Sequence, residues 1–171
     1  MTADTRQPGD FAAVNTAGDI GTLIKIGEGL NGEGFGEYAH ALVYVGAGQV
    51  VEAEPGGARK RVRGVEPGDL WSTGLIRLTS VQRSEICLAA DGYVGIGYSF
   101  ADYLALVAHH LRIPAPGLKS FIASSGHLIC SQLVDQCYQD AGVHLFDDGR
   151  WPGYVTPKSL ANLLLEKHMP E

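Results

Sequence analysis

The chain reads as an α+β protein, with a small and mostly antiparallel sheet packed against helices. Three observations predict this. Two β-prone runs, Ala41 to Val45 and Gln49 to Glu54, flank Gly46-Ala47-Gly48, the pattern of a tight antiparallel hairpin. Other short strand-like runs lie on either side of that hairpin. Later in the chain, apolar residues recur at helical spacing instead.

Taken in order, Pro8-Gly9 form a turn that leads into a strand at Phe11 to Val14. Ile20, Leu23, Ile24 and Leu30 follow the helical period behind caps at Thr16 and Asp19, and the glycines between Asn31 and Gly36 end that helix. After the hairpin, Arg59 to Arg63 and Leu75 to Leu78 read as two more short strands. A helix is expected from Val81 to about Val94. A second carries the stripe Phe100, Leu104, Val107 and Leu111, with Ser99 and Asp102 as a capping pair and Pro114 and Pro116 as stops. Leu133, Val134, Cys137 and Ala141 give the next helix one buried face, and Gly142 caps it. The last begins at Thr156-Pro157 and buries Leu160, Leu163 and Leu164. No internal repeat, low-complexity tract or linker interrupts the chain, so residues 1–171 are expected to form one domain.

Composition narrows the function classes. Hydrophobic content of 45% with 19% charged residues is that of a globular protein able to build its own core. A net charge of −6 argues against nucleic acid as a partner. The one basic run, Arg59-Lys60-Arg61-Val62-Arg63, reads as a solvated edge strand. Three cysteines at unpatterned spacings suggest free thiols in a reducing compartment. No metal motif stands out, since Asp147-Asp148-Gly149 fits a turn better than a metal loop, and no cofactor is expected. Residues 1–10 lack the apolar core of a secretory signal peptide, and no run approaches the ~18 apolar residues of a transmembrane segment.

The hairpin carries the first candidate chemistry. His40, Glu52 and Glu54 share one face of the pleat because all three are even-numbered. A three-residue loop would pair Val45 with Gln49, setting His40 opposite Glu54 and one diagonal step from Glu52; a shift of one residue would put Glu52 directly opposite. An imidazole held by a carboxylate on a rigid hairpin is the orienting half of a catalytic triad. The cysteines supply candidates for the other half. Cys137 lies on an apolar helix face, and Cys87 in an apolar run, so both read as structural thiols. Cys130 sits where a helix begins after a glycine-containing turn, where unpaired N–H groups and the helix dipole stabilise a thiolate and can hold an oxyanion. His127 is a rival base, better explained as a local hydrogen-bond partner. His109, His110, His144 and His168 have no constellation around them.

Cys130-Ser131-Gln132-Leu133-Val134, followed by Tyr138 and Ala141-Gly142-Val143, resembles the nucleophile helix of the papain-like NlpC superfamily of cell-wall peptidases. His40-Ala41-Leu42-Val43-Tyr44-Val45-Gly46 through Val51-Glu52-Ala53 is similar to that superfamily's histidine hairpin, whose third polar residue lies twelve positions after the histidine. Every cysteine here follows His40, the reverse of the ordinary order, so the chain resembles the circularly permuted, YiiX-like branch. Where the ordinary branch has Asp-Cys-Ser-Gly, this chain has Ile129-Cys130-Ser131-Gln132. The resemblance implies a papain-like fold and a thiol protease or amidase with a Cys130, His40 and Glu52 triad. It also implies a substrate with amide, ester or thioester bonds, a cell-wall peptide such as one from peptidoglycan, or an acyl-lipid. Tyr38 and Tyr98 are candidates to line the substrate site, against the commoner role of a buried tyrosine with a satisfied hydroxyl. The alternative is a catalytically inactive binding or structural module of the same fold, for example in a phage particle. A chain without a leader is expected to be cytoplasmic or phage-associated.

Overall fold

A computed structural model of the chain describes residues 4–15, 38–54, 57–96, 130–150 and 155–168. It is an α+β structure with five antiparallel strands in the order β4-β3-β2-β1-β5. The strands are β1 (Phe11–Val14), β2 (His40–Gly46), β3 (Gln49–Glu54), β4 (Gly57–Val62) and β5 (Leu70–Trp71). Three helices follow among the described residues: α1 (Ser80–Tyr93), α2 (Cys130–Asp140) and α3 (Pro157–His168). The helices expected before the hairpin and between Ser99 and Leu111 lie outside the described residues.

Both faces of the sheet's centre are buried, which is why β1 and the first five residues of β2 show no polar alternation apart from His40. On one face Phe11, Ala41, Val43, Val51 and Ala53 pack with Ile86 of α1, Leu133, Val134 and Tyr138 of α2, and Leu160 and Leu164 of α3. On the other, Ala12, Val14, Leu42, Tyr44 and Val50 cluster with Trp71. Register puts His40 beside Val14 and Glu52 beside Leu42, so both polar side chains share this second face.

The hairpin follows the expected register where it matters and departs from it at the tip. Leu42 pairs with Glu52 and Tyr44 with Val50, so His40 and Glu52 stand one diagonal step apart. The loop has two residues, not three: Gly46 pairs with Gln49 and the register shifts between Tyr44 and Gly46. Ala47 and Gly48 both take positive φ, 51° and 72°, as a type I′ turn requires. A primed turn matches the right-handed strand twist, so the ladder absorbs Val45 in a bulge and keeps the tight loop.

The run Leu75 to Leu78 is not a strand. The N–H groups of Leu75 and Ile76 turn back to the Ser72 carbonyl, winding the chain into the start of α1. The edge strand on that side is instead Leu70–Trp71, too short to show a period of two. Thr79 caps α1 reciprocally with Gln82. At the far end of α2, Val143 N–H bonds Tyr138 C=O and Gly142 N–H bonds Gln139 C=O, a Schellman motif that Gly142 completes at φ 69°. Thr156 caps α3 by accepting from the Ser159 N–H at 3.0 Å.

One hub ties these elements together. The Tyr138 hydroxyl donates to Gly9 C=O at 2.6 Å, and buried Asp10 accepts from Gln7 N–H, Thr73 Oγ1 and Arg83 Nη1. Gly9 is required there: at φ 88° a Cβ would meet the Arg83 Cα at 3.1 Å.

Ala47 is the one described non-glycine residue held at positive φ, and it is exposed. Asparagine tolerates this conformation better. Ala47→Asn should therefore stabilise the fold by about 0.5–1 kcal/mol and raise Tm by about 2–3 °C in a thermal melt.

Candidate functional site

His40 opens β2 and Cys130 opens α2, so the two meet at the end of the sheet. Both are buried, 5% and 3% exposed. Their positions follow from local structure. Ala39 N–H bonds Val14 C=O, which seats the first residue of β2 against β1. Buried Ser131 donates to Val155 C=O at 2.6 Å, tying the first turn of α2 to the residue before the α3 cap. Leu133, Val134, Cys137 and Tyr138 then hold the helix to the sheet.

The imidazole Nε2 lies 3.0 Å from Glu52 Oε2. The Cys130 sulfur faces the same ring closely enough to act on its charge. Burial by itself would push His40 down; the facing Cys130 sulfur and the Glu52 carboxylate outweigh it and hold the ring up, at about 10. Glu52 has no exposed surface. Burial would raise its pKa, yet His40 and Arg61 win and hold it well below the usual carboxylate range, at about 2.

The second cation on Glu52 comes from β4. Arg61 Nε bonds Oε1 and its Nη2 reaches Oε2 at 3.2 Å. Arg59 pairs chiefly with Glu54 and approaches Glu52 Oε1 only at 3.5 Å from a largely exposed position, a weak contact. The basic run is the expected solvated edge strand at Arg59 and Lys60, while Arg61 is partly exposed with its guanidinium turned onto Glu52. β4 is an edge strand, but Arg59 and Arg61 share the face of Glu52 and Glu54, and buried Arg63 forks onto Asp69 at 2.8 and 3.0 Å. A signal was present in the sequence: two arginines two apart, following two glutamates two apart, on adjacent strands.

The other two cysteines stand apart from this cluster. Burial pushes the Cys137 thiol far up on the core face of α2, and raises Cys87, whose Sγ points to the Tyr44 carbonyl at 3.9 Å. Among the described residues neither has a base beside it. Tyr38 is half-buried just before β2. Tyr98, His109, His110 and His127 lie outside the described residues, as does the glycine-containing turn before Cys130. His144 and His168 are exposed. Asp147-Asp148-Gly149 is a turn in which Asp148 pairs with Arg150.

The ligand atoms of His40, Glu52 and Glu54 lie within 4.8 Å of one another, close enough to span a divalent cation. Arg61 on Glu52 and Arg59 on Glu54 already place two positive charges there, and a metal ion would be repelled. Held up at about 10, the ring keeps its proton at neutral pH, an imidazolium with Nε2 on Glu52 and the Cys130 sulfur facing it. Chemically, such a cation can stabilise a thiolate and give a proton to a leaving group. Among the described residues no helix is long and apolar enough to cross a membrane. Comparison of the chain with protein-family models, with curated proteins and with solved structures finds no match.

Asp135 lies one turn beyond this site and is buried, its only described partner being Gln139 Nε2 at 3.1 Å. Burial pushes its carboxyl up to about 6, against the weaker pull of the Gln139 hydrogen bond. The raised value means that its contribution is complete below pH 3.8 and is lost as pH rises through about 6. Asp135→Asn, which keeps the Gln139 partner, should leave stability unchanged below about pH 4 and increase it on the order of 2 kcal/mol above about pH 6 in denaturant melts.

Proposed function

We propose that this protein is a cysteine-nucleophile hydrolase that cleaves acyl bonds through an acyl-enzyme. The observation that carries the reading is the His40 imidazole, bound through Nε2 to a fully buried carboxylate and faced by a cysteine at the first position of a helix. Each group has a role. The Cys130 sulfur attacks the acyl carbon with its proton already held on the His40 imidazolium. The carbonyl oxygen becomes an oxyanion beside the N–H groups of the first turn of α2. The tetrahedral intermediate collapses, and the leaving amine, alcohol or thiol takes the proton from His40. Water then attacks the thioester with His40 as base, releasing the acid and restoring the thiol. Glu52 holds the ring's orientation and tautomer throughout.

The same proposal places the chain in the circularly permuted branch of the papain-like NlpC superfamily, with the histidine hairpin ahead of the cysteine helix. The α+β architecture and the His40, Glu52 and Cys130 cluster support that placement. The bond is an amide, ester or thioester, and the substrate class that the branch implies is a cell-wall peptide or an acyl-lipid.

Iodoacetamide labelling at neutral pH, followed at each cysteine by mass spectrometry, should find Cys130 fastest, although it is more buried than Cys87, with the advantage lost in His40→Ala. Against peptidoglycan fragments and acyl-lipids, Cys130→Ala should abolish turnover and Glu52→Gln should lower kcat by about 10²–10⁴-fold. Equal labelling of Cys130 and Cys87, unchanged in His40→Ala, would sink the reading in favour of a binding module.

A further inference from the structure

We propose that Arg61 is a positioning residue of the reactive cluster, clamping both oxygens of Glu52 and so fixing the carboxylate that aims His40 at Cys130. This rests on Cys130 and His40 being the reacting pair. The geometry is specific to Arg61. Its Nε takes Oε1 while Nη2 takes Oε2 at 3.2 Å, the same oxygen that His40 Nε2 holds at 3.0 Å. A planar fork on a carboxylate fixes the plane of the carboxylate as well as its charge, which a lysine cannot do. Without that grip, a carboxylate bound by His40 through one oxygen is free to rotate about its last bond and carry Oε2 off the ring.

The charge has a second consequence. The groups facing His40 are Cys130 from α2 and Glu52 from β3, with Arg61 of β4 behind Glu52 and Arg59 of β4 on Glu54. With Arg61 in place, the buried Glu52 charge is balanced before the thiol gives up its proton. Taking Arg61 away leaves the cluster one unit more negative. A thiolate in a more negative cluster recaptures a proton at higher pH, and an imidazolium beside an unbalanced carboxylate keeps its proton to higher pH.

The test follows iodoacetamide labelling of Cys130 from about pH 4 to 9. In Arg61→Gln the acid limb should move up by about one pH unit, roughly tenfold slower labelling at a fixed pH on the limb. Arg61→Lys, which keeps the charge and loses the fork, should move it by less than half as much. Arg59→Gln, whose partner is chiefly Glu54, should leave it in place. An acid limb unmoved in both Arg61 variants overturns the proposal, as does an Arg59→Gln shift equal to that of Arg61→Gln. If Arg61→Gln does not fold, Arg61→Met, which removes the charge and keeps the apolar stem, replaces it and should give the same upward shift; an unmoved limb in Arg61→Met overturns the proposal.

A second readout separates this proposal from the cysteine reading. In a Cys130→Ala background, the His40 ring titration followed by NMR should shift upward on adding Arg61→Gln. That shift together with an ordinary Cys130 thiol in the parent would mean that the hydrolase reading fails while Arg61 still governs His40. A fast Cys130 with a His40 titration indifferent to Arg61 would mean the reverse.

Discussion

A buried carboxylate is tolerable only when every oxygen is matched, and Glu52 has no surface in contact with solvent. Its position in β3 makes the match a property of three strands. β2 brings His40 from one side and β4 brings Arg61 from the other, so the pairing of β2, β3 and β4 has to be in register before the charge is satisfied. Losing His40 would leave the buried Glu52 charge one partner short, whereas loss of Arg61, whose side chain is 38% exposed, would be partly made good by water. The cluster that aims the histidine therefore also selects the register of the sheet, because a one-residue slip would turn Glu52 into the helix-facing core.

The rest of the molecule supports that arrangement from the other face. Helices α1, α2 and α3 pack on Ala41, Val43, Val51 and Ala53, leaving the opposite face to His40, Glu52 and the smaller cluster around Leu42 and Tyr44. α2 is fixed at both ends, by Ser131 to Val155 at its start and by Tyr138 to Gly9 further along. A side chain on the first residue of a helix needs such restraint to keep its position, since first turns fray when their N–H groups lack partners. Cys130, at the end of the sheet, faces the His40 ring.

Much of this was readable from residue order. The period of two put His40, Glu52 and Glu54 on one face, and the Gly-Ala-Gly turn made the diagonal contact one of two registers. The apolar stripe Leu133, Val134, Cys137 with Gly142 marked α2 and its end, and left Cys130 at its start. The failures have physical causes. Leu75 to Leu78 carries apolar residues in a short run, and such a run fits a turn as well as a strand. Leu70–Trp71 is too short to show alternation. The basic run looked solvated because a charged strand is ordinarily exposed, and its parity relative to Glu52 depends on the pairing of β4 with β3.

By itself the sequence determined the local elements and the identity of the candidate reactive groups, because helix and strand periods, caps and turns depend on neighbours within a few positions. The tertiary structure set the contact between His40 and Glu52, brought Cys130 across some ninety intervening positions to the same ring, and laid the partly exposed Arg61 against Glu52. Those choices depend on which strands pair, in what register and under which helix. They are settled by burial, since an unmatched charge on the covered face would be too costly for the fold to keep.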